Sequence, residues 1–177
     1  MRLFFGLDLT PQDKILISEW RQKMLPPING EVPPANFHVT LAFLGQVAEA
    51  QLEPLSIGVS KLDVKSFSLR FEHIGYFSKP KALWLGCESI PAPLQELQRA
   101  LSKLASAQHL NVDKREYTPH ITLFRKCAEN PPVPLLPPDF VLKFDAFSLF
   151  CSENIGNGVF YRVMQTWPLT PSFSFSS

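Results

Sequence analysis

The chain has 177 residues, 45% of them hydrophobic, which is enough for one domain with a real core or for two small lobes sharing a sheet. A formal net charge of +1 excludes a broad electrostatic footprint on duplex nucleic acid, so any polynucleotide contact is expected to be local. Cys87, Cys127 and Cys151 lack metal-ligand spacing, no stretch approaches the ~20 apolar residues that span a bilayer, and no apolar leader precedes the first strand-like run; these features predict a soluble cytoplasmic protein without disulfide or zinc.

In chain order, RLFFGLDL at 2–9 reads as a strand and 11–24 as an amphipathic helix with Ile15, Leu16, Ile17, Trp20 and Met24 on its apolar side. Pro26, Pro27, Pro33 and Pro34 end that helix and deliver the chain to a strand in FHVTLAFLG. A weaker helix is expected over 48–62, interrupted by Pro54 and Gly58. Strands follow at 66–74 and 82–88, with Lys79, Pro80 and Lys81 at a hairpin tip between them. Leu94, Leu97, Leu101 and Leu104 mark a helix over 91–108, after which YTPHITLFR supplies another strand. A proline-rich loop at 130–138 precedes strands at 140–151 and 159–167, joined by a loop at 154–158. Residues 1–170 are expected to form a single unit and the Ser-rich tail, 171–177, to fray.

The tetrapeptide His-x-Thr-x occurs twice, as His38-Val39-Thr40-Leu41 and, 82 positions later, as His120-Ile121-Thr122-Leu123. In a strand, residues i and i+2 share a face, so each copy presents one imidazole and one hydroxyl together and turns its apolar residues the other way. The surroundings repeat too: strand, helix and His strand in 2–41 are echoed in 82–123, with 35 residues from Leu3 to His38 and 37 from Leu83 to His120. Two equivalent units about an approximate two-fold axis bring both motifs to one ligand. Two imidazoles and two hydroxyls suit a phosphate, with one neutral imidazole taking a proton and one imidazolium giving one, while the threonines stabilise the phosphoryl oxygens. Residue types and spacing do not say which histidine does which. Arg125, five after His120, points away from it in a regular strand and needs a bend to reach a phosphate, and Phe43, five after His38, is either a core aromatic or a platform for a base.

The paired motifs HVTLAFLG and TPHITLFR, with RLFFGLDL and the Trp84-Leu85-Gly86 strand, resemble the 2H phosphoesterase superfamily from Arg2 to about Trp167. Within it the chain is most similar to the bacterial and archaeal RNA 2′,3′-cyclic phosphodiesterases, the 2′-5′ RNA ligase family. The resemblance implies an α+β fold of two pseudo-symmetric lobes, each an antiparallel β-sheet with outer helices, and an active-site cleft between them. It implies opening of RNA 2′,3′-cyclic phosphate ends to 2′-phosphates without metal or other cofactor. His38 is then the proton donor to the departing 3′ oxygen, His120 the acceptor from water, and Thr40 and Thr122 hold the phosphate. Phe43 would contact the base and Arg125 the phosphate. The implied partner is RNA, with no membrane and no obligatory protein partner, the chain acting as a monomer.

Two rival readings share the residues. One is action on a small cyclic phosphodiester such as ADP-ribose cyclic phosphate, or as a 2′-5′ ligase; the other is a non-catalytic RNA-end-binding module, which would not require two titrating groups. His73 and His109 lack the HxT context and read as ordinary packed or surface histidines. Tyr117, Tyr161 and Trp84 read more simply as core than as cleft residues, and Lys79 and Lys81 as a solvated tip that could steer RNA from the rim.

Overall fold

The computed structural model describes residues 1–127 and 132–172. Its elements are β1 (Arg2–Asp8), α1 (Pro11–Met24), a 3-10 turn (Pro34–Asn36), β2 (His38–Gln46), α2 (Glu49–Ser60), β3 (Phe67–Phe71), β4 (His73–Phe77), β5 (Ala82–Gly86), α3 (Ala92–Ala107), β6 (His120–Phe124), β7 (Phe140–Phe144), β8 (Ala146–Ile155) and β9 (Gly158–Pro168). They form a four-stranded sheet β2-β1-β8-β9, a three-stranded sheet β4-β5-β6 and a pair β3-β7, all antiparallel.

The two repeats become the two lobes. In each, a strand leads through a helix to its antiparallel neighbour: β1-α1-β2 and β5-α3-β6. β1 and β5 are inner strands with unbroken buried runs, as apolar residues on both faces of a strand require. Helix α1 starts on Thr10, whose hydroxyl accepts from the Asp13 N–H at 3.1 Å, with Pro11 in the first turn where no donor is needed. Helix α3 lays Leu94, Leu97, Leu101 and Ala105 into the core and packs against β2. The His strands β2 and β6 are each the outer strand of their sheet, and they face one another.

Several boundaries differ from the sequence expectation. The 66–74 run breaks at Glu72: β3 joins β7, while β4 crosses to the sheet of β5. The 140–151 run breaks likewise at Asp145, and β8 and β9 extend into a tight turn at Gly156 (φ +64°) rather than a five-residue loop. Helix α2 is shorter than 48–62 and tolerates Pro54 inside it. On α1, Ile15 and Leu16 are 57% and 47% exposed, and the buried face is carried by Ile17 and Arg21. Ser172 donates its N–H to Ser66 Oγ at 3.3 Å, so the start of the expected tail is tied down; residues 173–177, and 128–131 of the proline-rich loop, lie outside the described residues.

Candidate active site

His38 and Thr40 on β2, and His120 and Thr122 on β6, line one cavity of about 310 Å³, while Val39, Ile121 and Leu123 are buried behind them and Leu41, also buried, borders it. Each imidazole is fixed the same way. His38 Nδ1 lies 2.7 Å from the Asn36 carbonyl and His120 Nδ1 lies 2.7 Å from the Thr118 carbonyl, in both cases the residue two before. A carbonyl only accepts, so both Nδ1 atoms carry the hydrogen and both Nε2 atoms are left as the basic, reactive nitrogens. The Nε2 of His38 receives the Thr40 hydroxyl at 2.9 Å. Asn36 is itself anchored, its side-chain amide donating to the Val159 carbonyl at 2.8 Å.

Aromatic walls hold the rings. His38 sits 4.9 Å from Phe4 and 5.0 Å, edge to face, from Tyr161; His120 sits 5.1 Å, edge to face, from Phe77 and 5.6 Å from Trp84. Phe4 follows Leu3 as Trp84 follows Leu83, so the repeat places an aromatic against each imidazole. Trp84 needs room: a Cβ on Gly75 would come within 2.2 Å of its indole. Burial disfavours the charged imidazole and pushes His38 down to about 4; it lowers His120 as well. The bonds to Asn36 and Thr118 work the other way, and the positive charge of Arg125 adds to the depression of both. Both rings are therefore neutral in the empty cleft near pH 7.

Phe43 and Arg125 line the cavity as well, and the reason is a matched irregularity in the two strands. Between β1 and β2 the register passes from Gly6↔Thr40 to Phe5↔Ala42, and between β5 and β6 from Trp84↔Thr122 to Leu83↔Phe124. Each His strand thus holds one extra residue directly after its threonine, Leu41 and Leu123. Such a bulge resets the alternation, so the fifth residue after each histidine returns to the histidine side. The bend that Arg125 requires is this bulge. The Arg125 backbone is further pinned where its N–H donates to the Gly30 carbonyl at 2.8 Å; Gly30 has φ +91°, and a Cβ there would lie 1.9 Å from the Arg125 carbonyl oxygen. Phe43 is 56% exposed, an aromatic face open at the mouth rather than a core residue.

Residues read as core also border the site. The half-buried Tyr117 donates its hydroxyl to the Thr40 carbonyl at 2.8 Å, and Arg125 Nη2 donates to the Tyr161 hydroxyl at 3.3 Å, so the β6 lobe reaches a tyrosine and an arginine across to the β2 lobe. Trp84 is 8% exposed, both core and wall. Arg21 was not singled out from the sequence at all. Its Nη1 donates to the carbonyls of Val32 and Leu123, both at 2.8 Å, with its guanidinium over Phe37 and Phe124, which fastens the loop before β2 to β6. The only hint was its position four after Ile17, on the buried side of the helix. Lys79 reaches the cavity rim from the β4–β5 hairpin. His73 lies outside the cavity, packed edge-on against Trp84 at 6.0 Å; with Glu72 and Glu88 it brings possible ligand atoms within 4.8 Å of one another.

Two antiparallel lobes that present a duplicated imidazole–hydroxyl pair to one cleft define a bilobal two-histidine phosphoesterase. The sequence pattern of the 2′-5′ RNA ligase superfamily matches residues 9–137, and the chain belongs to that family. It is 31% identical to the RNA 2′,3′-cyclic phosphodiesterase of Escherichia coli strain K12 over 96% of this chain and 97% of that one. It is 27% identical to the protein of that name from Archaeoglobus fulgidus over 84% and 83%. The crystal structure of E. coli LigT complexed with 3′-AMP superposes with a TM-score of 0.89 at 31% identity, over 96% of this chain and 98% of that one.

Proposed function

We propose that this protein hydrolyses RNA 2′,3′-cyclic phosphodiester ends to 2′-phosphomonoesters by two-histidine general acid-base catalysis. The observation that carries the reading is the pair of HxT motifs in one cavity, each imidazole oriented through Nδ1 so that Nε2 is the basic nitrogen turned to the cleft. The shared family and the relatives that bear the cyclic phosphodiesterase name support it.

Water attacks phosphorus as the neutral His120 Nε2 takes its proton; the P–O3′ bond breaks, and the 3′ oxygen takes a proton from His38 Nε2. Thr40 and Thr122 donate to the non-bridging oxygens as charge accumulates, and Arg125 balances the phosphate charge. The empty cleft holds both histidines neutral, so the acid is charged on substrate binding. An anionic phosphodiester beside His38 raises its pKa, and by countering Arg125 it removes part of what depresses it. Phe43 offers its face to a base. On this reading 1–170 acts as one unit, a cytoplasmic monomer handling RNA ends without an obligatory protein partner. Among the described residues no helix is long and apolar enough to cross a membrane.

The test is purified protein with a short RNA ending in 2′,3′-cyclic phosphate, in EDTA, with 2′- and 3′-phosphate products resolved. A 2′-phosphate product at an undiminished rate is expected. Loss of turnover in chelator, restored by a divalent ion, would overturn the metal-independent mechanism and direct attention to Glu72, His73 and Glu88.

A further inference from the structure

The two-fold relation between the lobes fails at one place, and the failure opens a cavity. Ahead of β2, residues 30–32 close onto the far end of β6 through main-chain bonds, Arg125 N–H to Gly30 and Val32 N–H to Leu123, at 2.8 and 2.9 Å. Ahead of β6, the equivalent segment at 112–118 runs past β2 without doing so: among the described residues no main-chain hydrogen bond joins it to β2, and the Tyr117 hydroxyl alone reaches across to Thr40. The gap is continuous with the catalytic cleft. Leu41 and Ala42 border it from β2, Val112 from the loop, and Gln98 and Ser102 from α3.

Gln98 and Ser102 stand one turn apart, half-buried, in the row beside the Leu94, Leu97 and Leu101 face. Gln98 Nε2 donates to Ser102 Oγ at 3.0 Å, which orients the amide. Its carbonyl oxygen, its second N–H and the serine hydroxyl hydrogen have no other partner among the described side chains. A site for a cyclic phosphate alone would end at the threonines. This one continues past Leu41, Ala42 and Val112, with Asp113, Arg115 and Glu116 on the loop side, to an oriented donor–acceptor pair, with the exposed Phe43 ring at the mouth, and such a combination of apolar surface and convergent polar groups recognises a planar heterocycle by its edge.

We propose that the arm between β2 and α3 seats the base of the terminal nucleoside, and that Gln98 and Ser102 read its hydrogen-bonding edge. The proposal rests on the cyclic phosphodiesterase reading. It makes α3, remote in sequence from both motifs, the specificity element of the cleft.

The experiment measures kcat/KM for the four nucleoside 2′,3′-cyclic phosphates and for base-free ribose 2′,3′-cyclic phosphate, in the wild type and in Gln98→Leu and Ser102→Ala, with circular dichroism to confirm folding. The wild type should discriminate among the four bases. Gln98→Leu should cut kcat/KM for the preferred base by about tenfold or more, mainly through KM, narrow the spread among bases to about threefold, and affect the base-free sugar far less. Ser102→Ala should act in the same direction more weakly. A spread unchanged in both folded variants, or an equal loss on the base-free sugar, overturns the base site and leaves the phosphodiesterase standing. A wild type inert on all five but active on a short RNA ending in 2′,3′-cyclic phosphate overturns the base site alone, and one inert on that RNA as well removes the parent reading, with which this one falls.

Discussion

The hydroxyl of Tyr117, three residues before His120, donates to the main-chain oxygen of Thr40, two residues after His38, across the gap between the lobes. The bond is 2.8 Å and the half-buried tyrosine has its phenol pushed well above its ordinary range by desolvation, so it stays a donor at every accessible pH. It ties the two motifs together across the cavity that both line. Tyr117→Phe should lower kcat by roughly 3- to 30-fold with KM nearly constant, because the threonine hydroxyl then meets the transition state less well aligned. A change confined to KM, or thermal unfolding with unchanged kinetics, would show that the bond is only structural.

The histidines should behave as a unit. Removing either should cost on the order of 100- to 10,000-fold in kcat/KM, and removing both much less than the product. An activated leaving group separates their roles: it should rescue His38→Ala, which lacks the acid, and not His120→Ala. Rescue of His120→Ala instead would reverse the assignment.

The pH profile of kcat/KM follows from the free protein, where both imidazoles lie below 6.5. A depressed pKa means that the imidazolium form is lost earlier as pH rises. The optimum should therefore fall between about 4 and 6.5, with the rate declining on the alkaline side through neutrality. The kcat profile should lie to its alkaline side, since bound phosphate raises the acid. These limbs belong to the pair rather than to either ring. An alkaline limb of kcat/KM above pH 7 contradicts the burial argument.

Stability should move with the same group. Between about 4 and 6.5 the unfolded chain binds a proton at His38 that the folded protein resists, so unfolding free energy rises with pH across that window and is lost as pH falls through it. The full swing is about 3 kcal/mol. Urea midpoints at pH 4.5 and 7 should differ less in His38→Gln than in the wild type. An equal acid sensitivity in both would refute it.

Arg21→Met should destabilise by about 2–4 kcal/mol, since it leaves the buried carbonyls of Val32 and Leu123 without donors, and should lower Tm by roughly 5–15 °C. Arg21→Lys should recover only part, because an ammonium cannot stack between Phe37 and Phe124 as a planar guanidinium does. A Tm within 2 °C of wild type for Arg21→Met, roughly the shift expected for less than 1 kcal/mol, would mean that water replaces it.

Both HxT faces were legible from the period of two, and α3 from its leucines, because those patterns are local. The breaks at Glu72 and Asp145 were not, since each is a change of sheet dictated by distant partners: β3 by β7, and β8 by β1. The same holds for Phe43 and Arg125, whose side is decided by one unpaired residue in each ladder, visible only against β1 and β5. The tyrosines read as core because strand aromatics usually are. What distinguishes Tyr117 is the acceptor at the end of its hydroxyl, contributed 77 residues away.

β2 and β6 are both outer strands, and an outer strand ordinarily invites another chain to add to it. Here each is screened by the other, and the loop at 30–32 caps the end of β6, so the exposed main-chain rims are sealed from a neighbouring polypeptide but not from a small anion. The fold has thus placed its reactive groups along two of its sheet borders, the two that face each other. An insertion that pushed the lobes apart would threaten solubility as well as turnover.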